Sequence, residues 1–251
     1  MKREMDFDKV RLKVYDTREE MGKEAAAEAA ECMRRMLKER DEIHCIFAAA
    51  PSQNEFLEAL IQEGGIDWSR VNGYHMDEYV GFEIGHPSSF NRFLSRAVFD
   101  RVPFKRVYLI NGAAECGREA ARYASVLDGI AIDITFMGIG ENGHIAFNDP
   151  EVADFHDEKT VKVVDLDEVC RLQQVHDGCF PCLEDVPRQA LTVTIPKLVS
   201  AREIFCIVPT QKKQKAVKEA LTGEIREACP ASILRRTKQV HMYIDRDCYW
   251  E

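Results

Sequence analysis

Short apolar runs alternate with longer amphipathic stretches along this chain, and that rhythm predicts most of its elements. Residues 43–50, 71–76, 107–110, 130–137, 191–195, 204–208 and 240–244 read as buried strands, because apolar and β-branched residues run through them with little polar interruption. Helical spacing fills the gaps. Thr17 and Glu20 form a capping-box pair ahead of a helix reaching about Lys38. Phe56, Leu57, Leu60 and Ile61 share one face of a helix over 54–62, which Gly64 stops. Ser88 and Ser89 are placed to cap a helix running to about Phe99. Further helices are expected over 114–127 and over 211–221, the latter ended by Gly223. The stretch after 150 is less regular: a strand over 160–164, a helix over 166–174, then turn-rich sequence over 175–187.

Strands alternating with helices imply parallel βαβ units. The expected architecture is α/β: a three-layer, open, mainly parallel sheet with helices on both faces and Rossmann-like topology. No linker or repeat divides residues 1–251, so a single domain is expected, with 151–187 as a candidate mobile lid. In such folds ligands bind beyond the carboxyl ends of the strands. That rule nominates four loops on geometry alone: 51–54, 77–81, 138–144 and 210–213.

Each nominated loop carries reactive or binding side chains. The first motif, His75-Met76-Asp77-Glu78-Tyr79-Val80-Gly81, sets two adjacent carboxylates at a strand end, so one can face the ligand and the other the protein. A partly desolvated carboxylate there suits proton abstraction next to a carbonyl, although a turn cap or a solvated acid pair fits the same residues. The second, running from Gly138 through Gly140, Asn142, Gly143 and His144 to Asp149 and Pro150, places three glycines and a histidine after a strong strand. Glycines allow close backbone approach to a ligand. Asn142 and Asp149 flank His144, which suits an oriented acid–base imidazole as well as a histidine bonded into a turn. The spacing of Gly138, Gly140 and Gly143 also fits the dinucleotide fingerprint, but Pro150 follows too soon and no acidic ribose binder is delivered, so no dinucleotide is expected. Ser52, Gln53 and Asn54 open a helix, where free N–H groups favour an anion, while Glu55 would repel one. Lys212 and Lys213 follow a strand end and could face a phosphate or simply solvent. Cys179-Phe180-Pro181-Cys182 is a lone CxxC, insufficient for a tetrahedral metal site.

Charge and composition narrow the partners. A net charge of -9, from 34 basic and 43 acidic residues, offers no general attraction for nucleic acid or an anionic membrane. No apolar run reaches the roughly 20 residues of a bilayer span, and MKREMDFDKV lacks the apolar core of a signal peptide. A cytoplasmic protein is expected, its nine cysteines mostly free thiols.

Taken in order, MDEYVG at 76–81, HPSSF at 86–90, MGIGENGHIAFNDP at 137–150, LTVTIPKLVSAREIF at 191–205, the TQK at 210–212 and CPASIL at 229–234 resemble the glucosamine-6-phosphate deaminase (isomerase) family across nearly the whole chain. The resemblance implies an enzyme of amino-sugar metabolism. It would convert glucosamine 6-phosphate and water into fructose 6-phosphate and ammonia, with neither a redox cofactor nor a metal. It implies Asp77 as the base moving a proton between C2 and C1 and His144 as the group that opens the ring, with Asn142 and Asp149 completing the catalytic set. The family's supporting acid is usually glutamate, so Asp149 is one methylene short. Ser52, Gln53, Asn54, Glu78, Gly140 and Lys212 become the candidate substrate- and phosphate-binding residues. The phosphate loop departs from the family's Thr/Ser-Gly-x-Thr pattern, and the family's phosphate arginine falls on Gln174. Arg171, Arg235 and Arg236 are the candidates to compensate. The departures keep other readings open: a different amino sugar or its phosphate, a 6-phosphogluconolactonase-like hydrolase, or a non-catalytic sugar-phosphate sensor. Family members are often homo-oligomers, so self-association is a further expectation.

Overall fold

The computed structural model describes residues 3–250; Met1, Lys2 and the final glutamate, ends of the expected 1–251 unit, lie outside them. The strands are β1 (Arg3–Phe7), β2 (Val10–Tyr15), β3 (Ile43–Phe47), β4 (Val71–His75), β5 (Asp77–Tyr79), β6 (Arg106–Tyr108), β7 (Ile134–Met137), β8 (Val161–Asp165), β9 (Gln189–Val193), β10 (Glu203–Val208) and β11 (Val240–Asp245). The helices are α1 (Arg18–Glu39), α2 (Asn54–Gln62), α3 (Phe90–Leu94), α4 (Cys116–Asp128), α5 (Glu168–His176), α6 (Ile195–Val199) and α7 (Gln214–Thr222). Eight strands form one sheet in the order β1-β2-β11-β10-β7-β3-β4-β6, parallel throughout except for β1 against β2.

Strand pleating splits the core in two. Along β10, Phe205 and Ile207 face one layer with Phe47, Phe136 and the apolar faces of α1 and α2. Ile204, Cys206 and Val208 face the other, with Tyr123 and Leu127 of α4 and Val217 and Leu221 of α7. Helices on both faces of a mostly parallel sheet are the α/β architecture the alternation implied. The Thr17 cap is in place: its hydroxyl accepts from the Glu20 amide at 3.1 Å. Among the described residues no helix is long and apolar enough to cross a membrane. All nine cysteines are free.

The differences from the sequence reading have local causes. A second sheet exists: β5, β9 and β8 pair antiparallel, with Asp77 opposite Thr192 and Tyr79 opposite Ala190. Three residues with two charges carry no strand periodicity, so 77–81 read as loop. The strand expected over 130–137 starts only at Ile134. Asp133 before it is spent as a clamp, accepting from the His44 amide and from Arg40, both at 2.8 Å. The run at 191–195 is cut because Pro196 sits in the first turn of α6. The expected helix over 88–99 is α3 continued by a wider π-type turn over Ser95–Phe99.

Candidate active site

A cleft opens beyond the carboxyl ends of β3, β4, β7 and β10, where ligands of such sheets bind. All four nominated loops reach it: Ser52 after β3, Asp77 after β4, Gly138, Gly140 and His144 after β7, and Lys213 after β10. Phe90 and Phe147 supply apolar wall.

Asp77 and Glu78 face opposite ways, as alternating strand residues must. Asp77 lines the cleft and is 6% exposed. Burial first, and then the charge of Glu78, push its carboxyl well above the usual range. Glu78 does not reach the cleft, which corrects its assignment to substrate. It accepts from the amides of Tyr79, Phe90 and Asn91 at 3.0, 3.1 and 2.8 Å, and from Asn91 Nδ2 at 2.9 Å. Glu78 thereby holds the HPSSF segment and α3 against β5. Burial, partly offset by these donors, lifts its carboxyl to about 7.

The glycine turn after β7 is folded around His144. A Cβ on Gly140 would lie 2.2–2.4 Å from the imidazole atoms, so only glycine lets the ring seat there. Gly143 adopts φ of 87°, and its carbonyl accepts from Ala231 at 2.9 Å, which ties CPASIL behind the turn. Asn148 Nδ2 donates to the carbonyls of Ile145 and Val193, both at 2.9 Å, and the Phe147 amide donates to Thr192 Oγ1 at 3.1 Å, which ties LTVTIP to the same turn. His144 Nδ1 lies 2.7 Å from Asn142 Oδ1 and 2.9 Å from Asp149 Oδ1. Two acceptors at one nitrogen require it to carry the proton, so neutral His144 keeps its lone pair on Nε2. Asn142 Nδ2 donates at 3.0 Å to both Asp149 and Asp167, fixing the amide's orientation. Burial would raise the Asp149 carboxyl, but the charge of His144 and hydrogen bonds from His144, Asn142 and Cys170 outweigh it and hold the group below the usual range. Neither Asn142 nor Asp149 lines the cleft; both stand behind His144 and position it. The short aspartate therefore does reach the ring directly.

The anion-binding assignments fare unevenly. Ser52 lines the cleft. Gln53 lies beneath it, donating to Ser52 Oγ and to the Ile207 carbonyl, both at 3.1 Å. Asn54 lies outside. Glu55 is paired with Arg18 at 2.8 Å, so its charge is already answered. Lys212 is exposed, with Nζ 3.5 Å from the His176 carbonyl. Its neighbour Lys213 enters instead, because Thr210 takes the strained φ of 82° with its amide held 2.9 and 3.0 Å from the two Asp245 carboxylate oxygens. None of the expected compensating arginines arrives. Arg171 is spent on the Leu183 and Val186 carbonyls, Arg235 on Gly223, and Arg236 is exposed.

Sequence reasoning missed most of one wall. Gln173 and Gln174 of α5 line the cleft together with Asp177, the C-cap of that helix. Asp167, the N-cap of α5, couples this helix to His144 through Asn142. A cap signature before Glu168 was the available signal for Asp167; nothing in the pattern aims Gln173 inward. Potential ligand atoms of His144, Asp149 and Cys170 lie within 4.8 Å of one another, the sole such trio among the described residues.

An open parallel sheet with a free carboxylate and an oriented imidazole on one cleft defines an acid–base enzyme of small polar molecules. The model of the family described as glucosamine-6-phosphate isomerases/6-phosphogluconolactonase matches residues 16–243, and the chain belongs to that family. Glucosamine-6-phosphate deaminases of Bacillus cytotoxicus and Bacillus cereus are 37% and 36% identical over 190 residues, 75% of this chain and 71% of each relative. A solved monomeric glucosamine-6-phosphate deaminase superposes with a TM-score of 0.85 at 29% identity, over 94% of this chain and 98% of its own. A 6-phosphogluconolactonase from Thermotoga maritima shares the fold, with a TM-score of 0.79 at 16% identity over 95% and 100% of the two chains.

Proposed function

We propose that the protein is a deaminating aldose–ketose isomerase that converts glucosamine 6-phosphate and water into fructose 6-phosphate and ammonia. The observation that carries this reading is the pairing, on one cleft, of an unpaired, buried Asp77 with a His144 whose Nδ1 is held by Asn142 and Asp149. His144 Nε2 accepts the proton of the C1 hydroxyl and delivers it to the ring oxygen, which opens the pyranose. Asp77 removes the C2 proton, the electron pair moves to C1–C2, and the substrate's own 2-ammonium passes a proton to O1, which gives a neutral enolamine. Asp77 returns its proton to C1, which leaves an imine at C2. Water adds to that carbon and ammonia leaves, giving the ketose. A carboxylate whose proton affinity is raised by burial is suited to a carbon acid. Lactone hydrolysis needs no transfer between two carbons and gives Asp77 no such task.

On this reading the enzyme is a single cytoplasmic domain, with 151–187 as the lid bearing α5, and its partner is a small amino-sugar phosphate. The homo-oligomer expected from the family is a matter for sizing in solution; one solved relative is monomeric. The test is to incubate purified protein with glucosamine 6-phosphate and measure ammonia and fructose 6-phosphate. Equimolar products are expected. A folded protein that releases no ammonia while binding the sugar phosphate would leave the sensor reading in its place.

A further inference from the structure

Four polar side chains on one wall of the cleft have no part in the proton transfers: Gln173, Gln174, Asp177 and Lys213. Lys213 is 5% exposed, and its Nζ has no hydrogen-bond partner. Burial pushes its amine below the usual range, against the opposing pull of Asp177 and Glu141. Gln173 is committed: its Oε1 accepts from the Glu141 amide at 2.8 Å, and its Nε2 lies 3.4 Å from Asp177 Oδ2. Gln174 is half committed, since its Oε1 accepts from the Tyr79 hydroxyl at 2.8 Å and the amide's Nε2 is left to donate. Asp177 caps the carboxyl end of α5, where the helix dipole adds partial negative charge.

The charges decide what this wall can hold. It offers one cation and one carboxylate, and among the described residues no arginine lines the cleft. A phosphate dianion here would leave about two negative charges unanswered in a partly desolvated site, which is costly. A hydroxymethyl group adds no charge. Its oxygen accepts from Lys213 or Gln174 Nε2, and its proton goes to Asp177. We propose that the wall formed by Lys213, Asp177 and Gln174 accepts the substrate's terminus as a hydroxyl as well as a phosphate, so that the enzyme also deaminates the unphosphorylated 2-amino-2-deoxyhexose.

This rests on the deaminase reading, and the experiment separates the two. Ammonia release gives kcat/KM for glucosamine and for glucosamine 6-phosphate. The two should lie within about 100-fold of each other. Asp177→Asn should then shift the ratio at least about tenfold towards the phosphate, by removing the like charge. Calorimetric binding of both sugars to the wild-type protein is the second arm, with dissociation constants expected within about tenfold. A phosphate preference beyond about tenfold in binding, or beyond about 100-fold in kcat/KM, overturns the proposal. If neither sugar releases ammonia, the deaminase reading fails, and the binding ratio still decides the proposal about this wall.

Discussion

One wall of the cleft is built from strand ends and glycine turns, the other from a helix and a lysine turn. On the first, backbone geometry fixes the reactive groups: Asp77 by its register opposite Thr192, His144 by a turn that only Gly140 and Gly143 can make. On the second, side chains hold side chains: Tyr79 holds Gln174, Gln173 reaches Asp177, and Asp167 joins α5 to Asn142. Backbone-built sites tolerate little change in sequence, because each position has one conformational solution. Side-chain-built walls can be re-chosen without disturbing the fold. On the proposed function, the difference separates the reaction from the specificity: chemistry on the strand-end wall, choice of substrate on the helical one.

The largest effect that separates the walls belongs to Asp77→Asn. Loss of the base should lower kcat by about 10³- to 10⁴-fold, while calorimetry finds sugar-phosphate affinity nearly unchanged. Stability should move the other way. A carboxyl whose pKa is raised on folding stabilises the protein fully below its unfolded value, near 3.9, and that contribution is lost as pH rises through the raised value. At neutral pH Asp77 is therefore a cost that asparagine removes. Thermal unfolding at pH 7 should show the variant melting higher, by about 2–4 °C for each kcal/mol relieved. The same raised pKa places the acid limb of kcat/KM well above the ordinary aspartate value. A variant that melts lower and keeps its activity would break the assignment of Asp77.

Next in size is Gly140→Ala. The added Cβ would lie 2.2–2.4 Å from imidazole atoms, well inside ordinary contact distance, so the ring must move. Displacement of a catalytic group by about 1 Å costs on the order of 100-fold in rate. The expected signature is a fall of about that size in kcat with KM little changed, since the far wall is untouched.

These two positions also show what was legible. The parallel sheet, the four ligand-facing loops and the pair Asp77–His144 could be read because each leaves a local mark: an apolar run, a glycine cluster, a strand end. Glu78 could not be sorted from Asp77 by residue type, since its partners on α3 are twelve and thirteen residues away. Lys213 could not be told from Lys212, because a single strained φ at Thr210, imposed by Asp245 from another strand, decides which lysine enters. On α5, Gln174 is marked only by falling where the resembled family has its phosphate arginine, and Gln173 by nothing, because glutamines are as common on solvated helix faces. Side-chain partnerships across long sequence distances leave no periodicity to read.

Smaller again is the effect of Asp149→Asn. The imidazole loses its charged acceptor but keeps Asn142 Oδ1 at 2.7 Å. The ring stays oriented, while its protonated form during ring opening loses stabilisation. A fall in kcat/KM of about 10- to 100-fold is expected. Because Asp149 is held below the usual carboxyl range in the folded protein, its stabilising contribution is present above the unfolded value and lost as pH falls through the folded one. The variant should therefore lose part of the wild-type drop in melting temperature as pH falls below about 4.

The smallest effects come from the two adjacent lysines, and they test the far wall most sharply. Lys212→Ala removes an exposed side chain whose sole partner is a carbonyl at 3.5 Å. Its kcat and KM should stay within about twofold of wild type, as for surface changes generally. Lys213→Met keeps the length of a buried side chain and deletes its charge. It should raise KM by about tenfold, the worth of one charge-assisted hydrogen bond, with kcat nearly constant, if the proposed wall holds the terminus away from the reacting atoms. Equal effects from both substitutions would mean that the turn at Thr210 presents either lysine to the cleft. A large effect from Lys212 alone would return that residue to the site and remove Lys213 from it. The order Lys213 over Lys212, with KM moving and kcat still, is what a terminus-binding wall separate from the catalytic one requires.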